Sequence, residues 1–153
     1  MDFQQYKLVK EHALAACAAA DLAYPKAKQV NPVLQAYIGD VVFSMYVRLR
    51  LLPTAAQVRV IHDLGAKMVS AVYQAAALEA LEEELTEAEL NVVRRGRNTK
   101  SMVPKSASVR EYRLATGFEA LLGYLLLDEQ EERLGEVLDR SFEVIAAKLQ
   151  EKR

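Results

Sequence analysis

Residues 29–47 read QVNPVLQAYIGDVVFSMYV, an apolar stretch in which Asp40 is the single side chain charged at neutral pH. Asn31 followed by Pro32 is typical of a helix start, with asparagine as the N-cap and proline in the first turn. The stretch therefore predicts a helix from residue 31 to about residue 52. A carboxylate among apolar neighbours is costly to bury unless it is paired, hydrogen-bonded or bound to a metal. Asp40 is for that reason a candidate functional residue.

A second apolar stretch, LATGFEALLGYLLL at residues 114–127, also carries one charged side chain, Glu119. Glycines stand near both carboxylates, with Gly39 directly before Asp40 and Gly117 two residues before Glu119. Glycine inside a helix costs about 1 kcal/mol relative to alanine. We therefore expect these glycines to be present because another helix packs closely or a ligand needs access at these positions. One interpretation is that each carboxylate meets a core tyrosine or arginine and fixes the packing. The other is a shared Mg²⁺ site, because Mg²⁺ prefers oxygen ligands.

The rest of the chain also predicts helices, because alanine and leucine are abundant and only 6 glycines and 4 prolines occur in 153 residues. No segment alternates apolar and polar residues long enough to predict a strand. We therefore expect one all-α domain. The further predicted helices cover residues 2–22, residues 54–81 with a bend or break near Gly65, residues 86–96 with a capping box at Thr86 and Glu89, a segment from residue 106 or 108 to 128, and residues 130–149.

Composition excludes several classes of protein. The net charge is -1, which argues against coating nucleic acid by bulk charge but leaves room for a local basic patch. Cys17 is the single cysteine, so no internal disulfide and no cysteine-based zinc site is expected. His12 and His62 are too few for a histidine metal cluster. We expect no signal peptide and no segment that spans a bilayer, and hence a cytoplasmic location.

Charge is segregated along the chain. Residues 79–89 hold six glutamates and no base, the pattern of a solvated helix face. Residues 94–113 hold seven basic side chains against Glu111 alone, and seven minus one gives a local balance of +6. The basic segment is either an exposed charged loop or a contact for phosphate oxygens.

Three motifs, in order along the chain, resemble the ribonuclease III family. Residues 36–43, AYIGDVVF, resemble the catalytic motif around its Leu-Gly-Asp-Ala core, and residues 118–123, FEALLG, resemble the second motif. The short subfamily called mini-ribonuclease III combines such motifs with Arg-Gly-Arg-Asn, here residues 95–98, and with a Tyr-Arg…Thr-x-Phe-Glu-Ala-Leu-Leu-Gly-Tyr-Leu segment, here residues 112–125. The resemblance covers about residues 31–130.

The resemblance implies an all-α ribonuclease III domain that forms a homodimer and cleaves double-stranded RNA with Mg²⁺, leaving 5′-phosphate and 3′-hydroxyl ends. It implies that Asp40 and Glu119 are the catalytic residues and the Mg²⁺ ligands. The implied task is maturation of precursor large-subunit (23S) ribosomal RNA, with a ribosomal protein bound to the substrate as a candidate partner. Tyr37 is a candidate for the dimer contact, with core packing as the alternative. The residues expected to contact RNA are Arg94, Arg95, Arg97, Asn98, Lys100, Lys105 and Arg113.

The chain departs from full-length ribonuclease III at three acidic positions, which here hold Val33, Ala36 and Thr116. The short subfamily shares these losses, which leave fewer acidic ligands per site. The expected organisation is an N-terminal helical extension at 1–30 and a catalytic domain at 31–153, with no double-stranded-RNA-binding domain. Two alternatives remain, a dimeric RNA-binding module on the same fold that has lost catalysis, and a helical protein-interaction scaffold.

Overall fold

The computed structural model describes residues 4–23, 25–54, 57–99 and 102–152. Within these ranges the regular structure is helical and no strand occurs, which confirms the all-α prediction. Short 3₁₀ turns lie at Ala27–Gln29, Leu52–Thr54 and Glu82–Glu84. The α-helices are α1 (Gln4–Ala19), α2 (Pro32–Leu51), α3 (Val58–Met68), α4 (Ala71–Leu81), α5 (Glu87–Arg97), α6 (Val109–Leu127) and α7 (Glu131–Glu151).

Side-chain caps set the start of three helices. The Asn31 side chain accepts a 2.9 Å hydrogen bond from the Val33 backbone at the start of α2, as the sequence predicted. Thr86 and Glu89 form the predicted capping box of α5, in which Thr86 Oγ1 accepts from Glu89 N at 3.2 Å and Glu89 Oε2 accepts from Thr86 N at 2.9 Å. Ser108 is the N-cap of α6 and forms a second capping box. Of the two predicted starting positions, residues 106 and 108, the later one is therefore correct.

The predicted break near Gly65 is displaced. Gly65 lies inside α3, and the chain turns at Val69 and Ser70 instead. Ser70 adopts an extended conformation with φ −68° and ψ 155°, and its hydroxyl donates a 2.8 Å hydrogen bond to the Lys67 carbonyl. That bond satisfies a carbonyl left free at the end of α3, so the serine ends the helix although glycine would be the usual residue.

The predicted helix does not start at residue 54, and Thr54 does not cap α3. Residues Leu52–Thr54 continue from α2 as a 3₁₀ turn, and Thr54 Oγ1 donates to the Leu51 carbonyl at 2.6 Å. The hydroxyl is therefore used at the end of α2, and Gln57 is the residue that precedes α3.

Helix α6 lies at the centre of the molecule and packs against α2, α4, α5 and α7. Ten of its 19 residues are buried, which explains why its sequence is apolar nearly all round. Phe118 from α6 and Phe43 from α2 are both fully buried and meet edge to face, with ring centroids 5.1 Å apart. The core is therefore organised around one helix, and α2 is its main partner.

Two glycines bring the backbones of α2 and α6 into direct contact. A Cβ atom on Gly39 would lie 1.7 Å from the carbonyl oxygen of Glu119, and a Cβ atom on Gly123 would lie 1.9 Å from the carbonyl oxygen of Gln35. Neither distance is possible for a real side chain, so only glycine fits at these two positions. The contact places Asp40, the neighbour of Gly39, beside Glu119.

A second close contact joins α5 to α6. A Cβ atom on Gly96 would lie 2.8 Å from the Ala120 Cβ, and a Cβ atom on Gly117 would lie 2.9 Å from the Arg97 Cγ. The basic C-terminal end of α5 consequently packs on α6 within one turn of Glu119.

Helix α1 lies outside the core and contacts the α6–α7 corner. Lys10 Nζ donates a 3.0 Å hydrogen bond to the Leu126 carbonyl, and Lys7 lies 3.6 Å from the carboxylate of Glu131.

The division of the chain at residue 30, into an N-terminal extension and a catalytic domain, stays a prediction. None of the helices in the described ranges has the length and hydropathy that crossing a membrane requires.

Gly39→Ala is expected to lower the free energy of unfolding by about 1–3 kcal/mol or more, because the added methyl group overlaps a backbone carbonyl of the central helix. Gly65→Ala is the matched control, since the nearest neighbour of its added Cβ would be Leu51 Cδ1 at 3.7 Å. The control should be as stable as the wild type or more stable, because alanine favours helix by about 1 kcal/mol. Urea denaturation of both variants measures the difference, and equal stability would contradict a tight α2–α6 contact.

Candidate active site

The two isolated carboxylates of the sequence meet at the α2–α6 contact. Asp40 is exposed at the surface, Glu119 is half-buried, and the two carboxyl groups lie close enough for the charge of Asp40 to raise the pKa of Glu119. The side chain of Gln74 on α4 lowers the pKa of the Glu119 carboxyl in part. Among the described residues, the side chains that affect Glu119 are thus a second carboxylate and an amide. Neither is the core tyrosine or arginine that the packing interpretation expected.

The environment of Glu119 shifts its ionisation. Burial raises the pKa of the Glu119 carboxyl most, the neighbouring charge of Asp40 raises it further, and the Gln74 side chain lowers it in part. The net result is a pKa of about 7 in the metal-free protein, against an ordinary value of 4.5. A pair of carboxylates in this state attracts a cation, because a positive charge between them offsets their repulsion.

The residues at this site fit Mg²⁺. Mg²⁺ takes oxygen ligands and is commonly held by one or two carboxylates together with water and substrate phosphate. The described residues contain no cluster of three or more His, Cys, Asp or Glu side chains suited to a metal, so Asp40 and Glu119 are the acidic ligands on offer. Such a site leaves coordination positions for water and for a substrate phosphate.

Gln74 is a residue of this site that was not predicted from the sequence. It is 1% exposed, and its Nε2 donates a 3.0 Å hydrogen bond to the carbonyl of Val69, where α3 ends. The pattern that pointed to Asp40 could have found Gln74, because Gln74 is a lone polar residue in the apolar first eight residues of α4, AVYQAAAL at 71–78.

The structure places part of the basic segment at the site. Arg97 lies over Gly117, two residues before Glu119, and Asn98 follows directly at the end of α5. Lys105 lies in the connection between α5 and α6, and Lys100 lies outside the described residues. The expected RNA-binding residues that are described are all exposed; they are Arg94, Arg95, Arg97, Asn98, Lys105 and Arg113.

Arg110 belongs to the same segment but has a different role. Its guanidinium pairs with the carboxylate of Glu79 on α4, so part of its charge is used within the molecule. The local positive charge available to a ligand is therefore smaller than the sequence count suggests.

Tyr37 does not pack in the core. Its side chain is 69% exposed, and Val33, Leu34 and Val41 on the same helix are each at least half exposed. The core-packing alternative for Tyr37 is therefore wrong, and α2 presents an apolar surface beside Asp40. We call these four residues the α2 apolar face.

Comparison with known proteins matches the chain to the Ribonuclease III domain over residues 35–130. The chain is 44% identical over 118 residues to a protein named Mini-ribonuclease 3 from Thermoanaerobacter sp. (strain X514), which covers 76% of this chain and 83% of the relative. It is 47% identical over 116 residues to the Mini-ribonuclease 3 of Symbiobacterium thermophilum, covering 74% and 89% of the two chains. The Mini-ribonuclease 3 of Staphylococcus aureus is 37% identical over 122 residues, covering 77% and 91%.

A crystal structure of a protein from Fusobacterium nucleatum shares the fold, with a TM-score of 0.72 and 22% identity, covering 78% of this chain and 98% of that chain. The all-α fold, the domain match and the sequence relatives together define the class of protein. The chain belongs to the ribonuclease III family. It is an endoribonuclease, and the sequences it resembles most among these carry the name Mini-ribonuclease 3.

The raised pKa of Glu119 predicts how the metal-free protein responds to pH. Between pH 4.5 and about 7 the folded protein holds a proton on Glu119 that the unfolded chain has released, so stability falls as the pH rises through this window. Glu119→Gln should lose this decline, whereas Glu132→Gln, an exposed position on α7, should keep it. Thermal unfolding in EDTA across pH 4–8 measures the trend, and a wild-type stability that is flat or rises over pH 5–7 in the same way as Glu119→Gln would refute it.

Proposed function

We propose that this endoribonuclease cleaves double-stranded RNA as a Mg²⁺-dependent homodimer, with Asp40 and Glu119 as the catalytic metal ligands. The observation that supports it is the meeting of these two carboxylates where α2 crosses α6, with the basic end of α5 packed on the same helix. The matches to Mini-ribonuclease 3 proteins support the same substrate class.

The chemistry follows from the groups that the chain supplies. Mg²⁺, when bound, lowers the pKa of a water molecule and offsets the charge that develops on the phosphate in the transition state. Asp40 and Glu119 supply the oxygens that hold it. Because Asp40 is exposed, an RNA backbone can reach the site from solvent, while Glu119 is held from the core side. Cleavage in this way leaves 5′-phosphate and 3′-hydroxyl ends.

The basic segment is proposed to bind the RNA backbone. Guanidinium groups form charge-assisted hydrogen bonds with phosphate oxygens, and A-form RNA presents phosphates and 2′-hydroxyls across a wide, shallow minor groove. Arg97 and Asn98 lie nearest to Glu119 along the α5–α6 contact, so they are proposed to hold the phosphates next to the scissile bond. The remaining proposed contacts are Arg94, Arg95, Lys100, Lys105 and Arg113.

The α2 apolar face is proposed as the homodimer contact. Val33, Leu34, Tyr37 and Val41 are exposed together on one face of α2. A contiguous apolar surface of this kind is typical of a protein–protein contact. A two-fold dimer through this face would place one carboxylate pair on each side of the contact, as a cut through both strands requires.

The cellular task that we propose is the maturation of precursor large-subunit ribosomal RNA in the cytoplasm, with a ribosomal protein bound to that RNA as a further partner. The resemblance of the three motifs supports this assignment.

Asp40→Asn is expected to lower the rate of duplex RNA cleavage by at least about 100-fold, because loss of the charge removes several kcal/mol of metal-assisted stabilisation. Glu119→Gln should act in the same direction and recover in part at high Mg²⁺. Asp63→Asn, an exposed carboxylate on α3, is the control and should cleave at the wild-type rate. Gel analysis of cleavage with and without Mg²⁺ measures this. A folded Asp40→Asn protein with near wild-type activity would favour a different site.

The double substitution Arg95→Ala/Arg97→Ala should weaken duplex binding and reduce the log–log salt slope by up to about two units, because each phosphate contact contributes about 0.9. Binding is measured in Ca²⁺ across a salt series, where turnover should be slow. Arg59→Ala/Lys67→Ala removes two exposed charges from α3 and is the control that should leave the slope unchanged. Equal salt slopes for the two double variants would mean that the basic end of α5 is an exposed charged turn that does not contact RNA.

The dimer proposal predicts a mass near twice 17.1 kDa in light scattering at micromolar concentration. Tyr37→Glu should shift the protein to the monomer mass, because it places a charge in the proposed contact. Val58→Glu is the control, since Val58 is 84% exposed but lies on α3, outside the α2 apolar face. A wild-type monomer that still cuts both strands would contradict the proposed mechanism.

A further inference from the structure

We propose that Arg48 is a further RNA-binding residue, and that its guanidinium holds a phosphate of the strand that is cleaved at Asp40. The inference rests on the proposed function, because it concerns the RNA on which the carboxylate pair acts. It adds a contact from α2, the helix that carries Asp40, to the contacts proposed for the end of α5. Arg48 is assigned no part in the chemical step.

A groove on the surface of α2 joins Asp40 to Arg48. Its volume is about 500 Å³, and the described residues that line it all belong to α2. They form two rows in which the members are four residues apart; the polar row is Asp40, Ser44 and Arg48, and the apolar row is Val41, Met45 and Leu49. Residues four apart form ridges on a helix surface, so the groove is the space between a polar ridge and an apolar ridge.

The groove and the α2 apolar face lie on different halves of the helix. Arg48 follows Asp40 by eight residues, which is about 12 Å along the helix axis toward the C-terminal end of α2. Of the α2 apolar face, Val41 alone follows Asp40 in the sequence. The proposed dimer contact and the groove therefore adjoin at Asp40, and an RNA strand that reaches Asp40 can continue along the groove to Arg48.

The guanidinium of Arg48 is available to a ligand. Arg48 is exposed, and its side chain has no ion pair or hydrogen bond among the described residues. Arg50, two residues further on, shows the opposite arrangement. Its guanidinium lies 3.2 Å from the Asp139 carboxylate, donates to the Tyr46 hydroxyl at 3.0 Å, and lies 4.5 Å from the centre of the Phe142 ring. Arg50 thus attaches α2 to α7, whereas Arg48 has no such structural role.

The chemistry of the groove favours a phosphate over a protein partner. A guanidinium forms paired, charge-assisted hydrogen bonds with phosphate oxygens. Because the proposed substrate at Asp40 is a polyanion, a cation on the same groove is placed to meet another phosphate of the same strand. A protein partner would instead have to cover the apolar row, and Met45 and Leu49 of that row are already half-buried within the molecule.

The first experiment measures duplex RNA binding in Ca²⁺ across a salt series. Arg48→Ala should bind about 10–100-fold more weakly than wild type, the usual worth of a charged hydrogen bond, and should reduce the log–log salt slope by about 0.9. Arg48→Lys keeps the charge but not the paired hydrogen bonds, so it should keep the slope and recover part of the affinity. Lys148→Ala should behave as wild type, because Lys148 is likewise exposed but lies on α7, outside the groove.

The second experiment identifies the phosphate. Single methylphosphonate linkages, which remove the charge of one phosphate, are placed in turn on either side of the scissile bond. One of these linkages should weaken binding to wild-type protein and to Lys148→Ala, but should have little further effect on Arg48→Ala, since the group that it contacts is already absent.

Light scattering of each variant separates RNA binding from assembly, and Arg48→Ala should keep the mass of the wild type. A lower mass would make Arg48 part of the dimer contact, and wild-type affinity and salt slope would leave it an exposed charge without a ligand. Either result, or a methylphosphonate pattern that Arg48→Ala leaves unchanged, would overturn this inference alone. A wild-type protein that neither binds nor cleaves duplex RNA would overturn the proposed function and this inference with it.

Discussion

Backbone contact between α2 and α6 is the constraint on which the other features of this protein depend. Gly39 lies against the carbonyl of Glu119, and Gly123 lies against the carbonyl of Gln35, so the two helices approach closer than any side chain would allow. The contact buries Phe43 of α2 against the central helix and sets Asp40 beside Glu119. Packing and site geometry are thus consequences of the same close approach.

The electrostatics of the site follow from that approach. Two carboxylates are brought together partly out of water, and the metal-free protein responds by raising the pKa of Glu119 to about 7. A bound cation would remove the cause of this shift, since it supplies the charge that each carboxylate lacks. The uncharged side chain of Gln74 lowers the pKa of the same carboxyl in part.

The surfaces around the carboxylate pair are placed by the same helices. The close contact of Gly96 with Gly117 sets the basic end of α5 on one side of Glu119. The exposed apolar side chains around Tyr37 lie on α2, the helix that carries Asp40. A polar surface for RNA and an apolar surface for a second copy would then adjoin one site, and movement of either helix would disturb both.

Local sequence determined much of the secondary structure and the family. Asn31 and the Thr86–Glu89 capping box act over three residues or fewer, so their helix starts could be predicted from the sequence and were confirmed. The family was recognisable from three short motifs, although the roles of individual site residues stay predictions. Tertiary structure alone decided that Asp40 meets Glu119, that the chain breaks at Ser70, and that Tyr37 faces outward. These outcomes depend on which helix faces which across the core, and hydrogen bonds between residues four apart carry no information about such distant contacts.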